Sequence, residues 1–332
     1  MEPLAERLNA RAGKTLPGRL LNELLRSSCL FKVMQVDLSA GNRYRALPSQ
    51  LVGTMARRPE ILVFDSGLGG LTVLAAILRA RPDASLTYVA DDAAFPYGRW
   101  SEADLVERVG TVMERLIARF HPDTVVIACN TASTLVLSSL RERFPAMPFV
   151  GTVPAIKPAA AYSRTKKISV LATPGTVARD YTRALIDTYA ADCEVTLVGS
   201  NGLASLAEAA MRGEPVADAD IAAEIAPCFV GEGANRTDCI VLACTHYPLL
   251  LDRYEALAPW PVAWIDPAAA IARRADHVLA ELGFPLRSDE CLEPSVRRAV
   301  FTSGVRPGAA LARALGERGL ARIVDETIAV SR

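Results

Sequence analysis

VVIACNTAST, residues 125–134, is an apolar run that ends in Ala-Cys and turns at once into small hydrogen-bonding residues. IVLACTHYPL, residues 240–249, does the same, with Thr again following the cysteine. Cys129 and Cys244 therefore stand in matching contexts about 115 residues apart. Apolar runs this continuous read as strands buried on both faces, which are typical of parallel sheets covered by helices.

Working outward, the same alternation recurs. Strands are expected at 61–64, 86–90, 124–128, 148–152, 168–172, 195–199, 239–243 and 262–265. Helical periodicity fills 70–80, 102–119, 132–143, 176–190, 217–230 and 268–282. The fold class is α/β. Eight strands could close one barrel, but the recurrence of the cysteine motif once in each half favours two open parallel sheets and a weak internal duplication. Ligands of open α/β folds bind at the carboxyl ends of strands. Cys129, Cys244, Asp65 and Asp266 all fall at such ends.

The 332 residues are 51% apolar, carry zero net charge and contain seven cysteines and three histidines. That is a globular composition with room for two domains. No apolar run is long enough for a membrane span and no secretory leader is evident, so a cytoplasmic protein is expected. The absence of CxxC spacing argues against disulfide scaffolds and zinc sites, so no metal is expected. Residues 1–58 hold ten Lys/Arg against four Asp/Glu, and the remainder is net negative by the same amount. They read as a weakly ordered basic arm. A neutral-to-acidic body makes nucleic acid an improbable partner.

Cys129 would sit where a strand meets a helix N-terminus, a place that lowers a thiol's pKa. Asn130 and Thr131 could hold a carboxylate there. Cys244 precedes Thr245 and His246 at another expected helix start, with Pro248 near its first turn, and the imidazole could trade a proton with the thiol. Either cysteine alone fits a core position as well. Together they fit two-sided general acid–base catalysis, one thiol accepting a proton from a carbon while the other gives one to the opposite face. Asp65 could orient a thiol, bind a substrate ammonium or cap the next helix. Tyr97 could donate to a substrate carboxylate or simply belong to a rigid turn. GLGG at 67–70 lacks the spacing of a nucleotide loop and reads as a tight turn. TPGT at 173–176 reads as a helix cap, and His121 and His277 as structural or surface residues.

These residues resemble the glutamate racemases of the Asp/Glu racemase superfamily. The matching segments are VFDSGLGGLTVL (63–74), FPYG (95–98), ACNTAST (128–134), GTVPAIKPA (151–159), LATPGT (171–176) and ACTHYPLL (243–250), spanning about 60–305. CTHYPL favours the glutamate branch over the aspartate branch, and FPYG and VPAIKPA look like its proteobacterial form. The resemblance implies two pseudo-symmetric α/β domains facing across an active-site cleft, with 60–153 plus 267–332 in one and 154–266 in the other. It implies cofactor-independent interconversion of L- and D-glutamate for peptidoglycan by Cys129 and Cys244, with Asp65, His246 and Glu208 as supporting acid–base groups. Asp65, Ser66, Tyr97, Gly98, Asn130, Thr131, Thr245 and His246 match substrate-contacting positions. A UDP-linked cell-wall precursor is implied as an activator, and DNA gyrase as a partner that some members bind. The sequence departs from the family in lacking an Arg before PYG and in carrying its long basic arm. Racemisation of aspartate or another amino acid, a two-lobed ligand-binding protein and a Cys-His hydrolase stay open as alternatives.

Overall fold

The computed structural model describes residues 57–287 and 295–328, so the basic arm up to Ala56 lies outside the described residues. Twelve strands occur among these: β1 Glu60–Asp65, β2 Ser85–Ala90, β3 Thr124–Ile127, β4 Phe149–Gly151, β5 Lys167–Ala172, β6 Glu194–Gly199, β7 Gly231–Glu232, β8 Asn235–Arg236, β9 Cys239–Ala243, β10 Ala263–Ile265, β11 Arg297–Phe301 and β12 Arg322–Asp325. Every strand expected from the sequence is present, within a residue or so of its bounds.

Six strands form one sheet in the order β12-β11-β2-β1-β3-β4, and four form another in the order β10-β9-β5-β6. All pairings within both are parallel. The sequence β4-β3-β1-β2 of the first sheet reappears in the second as β10-β9-β5-β6. The internal duplication is therefore a topological one, and Cys129 and Cys244 follow the equivalent strands β3 and β9. In each sheet the chain leaves the first strand to one side and returns on the other. That reversal opens a crevice between the ends of β1 and β3, and another between the ends of β5 and β9.

Apolar clusters cover both faces of both sheets. Leu71, Leu74 and Ile77 of the helix Leu71–Ala80 meet Ile271, Ala275 and Leu279 of the helix Ala268–Glu281 on one face of the first sheet. Leu105, Val109, Val112 and Leu116 of the helix Glu102–Phe120 cover the other. Tyr247, Tyr254, Ile221 and Leu203 cover one face of the second sheet, and Ile156 and Ala159 the other. Among the described residues no helix is long and apolar enough to cross a membrane.

The structure departs from the sequence reading in four places. β11 and β12 are additional to the strands expected from the sequence, because arginines and an aspartate leave them without a continuous apolar run. Arg298 is satisfied across the sheet, donating to Thr87 and Glu60 and lying over the Phe120 ring. The expected helix 176–190 is two helices, Pro174–Val177 and Asp180–Tyr189. The expected helix 217–230 ends at Ile225, and a 3-10 turn containing Pro227 follows. No α-helix starts directly after Cys244; the 3-10 turn Tyr247–Leu250 intervenes before Leu251–Leu257. Asp266 accepts from the Ala268 amide and so caps the helix Ala268–Glu281.

Because β11 lies directly on β2, the C-terminal segment is part of the first sheet's core. A chain cut after Ser295 should lose its cooperative thermal transition. A truncated chain that melted within a few degrees of the full one would contradict this placement.

Candidate active site

β1 and β3 deliver Asp65, Ser66 and Cys129 to one side of a small cavity, and β9 delivers Cys244, Thr245 and His246 to the other. The cavity is lined by Ser66, Phe95, Cys129, Asn130, Cys244 and His246 among others, and has a volume of about 30 Å³. That is room for one or two waters, far less than an amino acid occupies.

Cys129 is the N-cap residue of the helix Asn130–Arg143 and is 6% exposed; Cys244 is 8% exposed. The Cys129 thiol donates toward the Ser66 hydroxyl at 3.7 Å. Burial, then the Asp65 carboxylate, push its pKa up to about 12, although the Ala132 amide pulls the other way. The sequence-based expectation of a helix-lowered thiol is thus corrected for Cys129: exclusion of water outweighs the helix terminus.

Cys244 Sγ lies 3.8 Å from His246 Nδ1, and His246 Nε2 lies 3.0 Å from Glu208 Oε1. Burial disfavours an imidazolium here, but Cys244, Glu208 and Asp65 outweigh it, and the His246 pKa stands well above its ordinary value. Burial likewise opposes the Glu208 charge, yet His246, the Leu68 amide and Arg212 hold its pKa below the usual range. Glu208, in the helix Leu203–Arg212, belongs to the second sheet's lobe and accepts the Leu68 N–H of the first.

Further contacts cross the same gap. Thr245 Oγ1 donates to Asp65 Oδ1 at 2.9 Å, while Asp65 Oδ2 accepts the Gly67 amide at 3.0 Å. The Thr131 and Thr173 hydroxyls meet at 3.3 Å. The Phe95 ring sits 5.4 Å from the His246 ring. Close approach explains the glycines of the 67–70 turn. A Cβ on Gly67 would stand 2.2 Å from Glu208 Oε1, and one on Gly69 would stand 2.5 Å from His246 Nδ1.

The structure gathers Ser66, Tyr97, Gly98, Asn130, Thr131, Cys129, Cys244 and His246 around the cavity. Asp65, Thr245 and Glu208 stand directly behind these residues. Asn130 lines the cavity and is buried with neither its side-chain nitrogen nor its oxygen bonded to protein, which leaves a donor and an acceptor unused. Tyr97 differs from the expectation: its hydroxyl donates to Asp91 at 2.6 Å rather than into the cavity. Sequence reasoning missed Phe95 as a partner of His246 and Thr173 as a partner of Thr131. FPYG and TPGT marked both segments without showing what lay opposite.

A family model described as Asp/Glu/Hydantoin racemase matches residues 65–275, which include every cavity residue named above. The chain belongs to the Asp/Glu/Hydantoin racemase family. The glutamate racemase of Brucella anthropi is 54% identical over 260 residues, covering 78% of this chain and 90% of that protein. That of Brucella ovis is 52% identical over 267 residues, covering 80% and 95%. Among solved structures, Escherichia coli glutamate racemase in complex with L-glutamate and the activator UDP-MurNAc-ala superposes with a TM-score of 0.73 at 37% identity, covering 81% of this chain and 98% of that one. The two-sheet arrangement of this racemase-family chain is thus that of its solved relatives.

Two predictions follow from the cross-gap contacts. Gly69→Ala should leave the fold intact but keep the gap from closing, lowering turnover by about 100-fold for a displacement near 1 Å; steady-state kinetics with circular dichroism check it. Raised His246 stabilises the folded state below the ordinary imidazole pKa, and that contribution fades as pH rises through the folded value. Lowered Glu208 contributes above the ordinary carboxylate pKa and is lost as pH falls through the folded one. Glu208→Gln should therefore move the His246 titration, followed by NMR, to lower pH and weaken stability between the two limits. An unmoved midpoint would contradict the pairing.

Proposed function

We propose that this chain is a glutamate racemase that inverts Cα with two thiols. The observation that carries the reading is that Cys129 and Cys244, from equivalent strands of two separate sheets, line one cavity. A single-sided catalyst has no use for the second thiol. Family membership and the glutamate racemases it resembles narrow the substrate to glutamate.

Abstraction and return of a proton need one thiolate and one thiol at the same moment. Buried beside Asp65, Cys129 keeps its proton, and His246 offers Cys244 a cationic neighbour at 3.8 Å. With one enantiomer bound, the Cys244 thiolate takes the Cα proton while the Cys129 thiol delivers one to the opposite face. The charges on the two sulfurs are then exchanged, which is the state that the other enantiomer requires. Asn130 and the Cys129-capped helix face the substrate carboxylate, and the charge that develops beside it is held by these donors. Ser66 accepts from the Cys129 thiol, the Asp65 charge favours the protonated form of that thiol, and Glu208 supports His246. Every step uses only this chain's side chains, so the reaction should run with no added cofactor.

The product would be D-glutamate for peptidoglycan, made in the cytoplasm. The E. coli relative is seen with UDP-MurNAc-ala as activator, and a UDP-linked precursor of that kind is proposed to raise the rate here. A precursor that left the rate unchanged would remove that part of the reading.

Purified full-length protein should convert L-glutamate to D-glutamate in a chiral assay and leave L-aspartate essentially untouched; preference for aspartate would replace the substrate assignment. Cys129→Ala and Cys244→Ala should each abolish racemisation, by about 1,000-fold or more. Each should retain solvent exchange of the α-proton with only one enantiomer, and the two variants should differ in which. A variant with normal racemisation would take that cysteine out of the mechanism.

A further inference from the structure

Residues 92–100 form the wall that touches both thiol sites. Phe95 lies against His246, the partner of Cys244, while Tyr97 lines the cavity and shares the apolar cluster of Cys129. What holds this wall is a fully buried carboxylate outside the cavity. Asp91, at the end of β2, is 0% exposed and accepts four hydrogen bonds. Oδ2 receives the Tyr97 hydroxyl at 2.6 Å and Arg108 Nε at 3.1 Å. Oδ1 receives Arg108 Nη2 at 2.5 Å and the Thr302 hydroxyl at 2.6 Å. The Asp91 amide also donates to the Asp65 carbonyl at 2.8 Å.

Both cationic and hydroxyl partners come from elsewhere in the fold. Arg108 belongs to the helix Glu102–Phe120 and also donates to the Ile328 carbonyl at 3.0 Å. Thr302 directly follows β11, accepts from the Ala93 amide at 3.3 Å, and its carbonyl receives the Ile328 amide at 2.9 Å. Next to it, Ser303 bonds Asp92 through both backbone and hydroxyl. The segments that follow β11 and β12 are thus tied, through Thr302 and Ile328, to the buried Asp91–Arg108 ion pair behind the wall, a costly arrangement that an apolar contact could replace if only stability were served.

We infer that Asp91, Arg108 and Thr302 form a positioning unit that sets the Phe95–Tyr97 wall against the two thiols, so that residues outside the cavity govern turnover through the Tyr97 hydroxyl. The inference rests on the racemase reading. None of the three need touch substrate. Their effect falls on the closed complex, where misplacing the wall by a fraction of an ångström separates the reacting groups. It should appear in kcat more than in KM.

The test is a set of mild variants of the full-length protein, measured for glutamate racemisation and thermal melting. Thr302→Val and Tyr97→Phe should each lower kcat about tenfold with KM within about threefold, and Thr302→Ser, which keeps the hydroxyl, should stay near wild type. The Thr302→Val/Tyr97→Phe double variant should be little slower than either single one, because both act through Asp91. Asp83→Asn breaks the buried Arg81–Asp83 pair at the opposite end of β2. It should lower the melting point at least as far while leaving kcat unchanged. Wild-type kcat in Thr302→Val and Tyr97→Phe, or an equal loss in Asp83→Asn, would overturn the inference while leaving the racemase reading in place. An inactive wild-type protein would overturn both.

Discussion

The site depends on how closely the Gly67–Gly70 turn approaches His246. Two sheets that each end in a cysteine are of no use until their crevices meet, and a side chain on this turn would hold them apart. With glycines there, the Leu68 amide reaches Glu208 and Thr245 reaches Asp65. Those bonds are made between groups that would otherwise be buried without partners, which carries a real cost when they are missing. The two lobes therefore meet around a cavity of about 30 Å³ without stranding these polar groups.

The same closure sets the electrostatics. A thiol shut away from water holds its proton, and Cys129 does so despite the helix that starts beside it. Across the cavity the His246–Glu208 pair supplies charge of the opposite kind next to Cys244. The two sulfurs occupy equivalent places in the topology but unequal surroundings. In the proposed mechanism, that inequality lets one be acid while the other is base.

Much of this was legible in the sequence. Continuous apolar runs such as ILVF and CIVLA can be little else than buried strands, and the repeated Ala-Cys-polar context singled out Cys129 and Cys244 before any contact was known. What could not be read were relations through space. β11 hides behind arginines, and the partners of Arg298, Glu60 and Thr87, are more than two hundred residues away in the chain. The Tyr97 hydroxyl goes to Asp91 because Arg108 and Thr302 converge there, and no local pattern announces that. The helix-terminus argument for Cys129 failed because burial is a property of the assembled lobes, whereas the capping position is a property of a few neighbouring residues. Cys244 shows the complementary limit: Pro248 suggested a helix start, and the chain makes a 3-10 turn instead.

The central claim is that two thiols face one carbon from opposite sides. A structure of the full-length protein with glutamate bound tests it most directly. The account predicts both sulfurs about 3–3.5 Å from Cα, on opposite faces of the substrate. Either sulfur remote from Cα, or both on the same face, would contradict it.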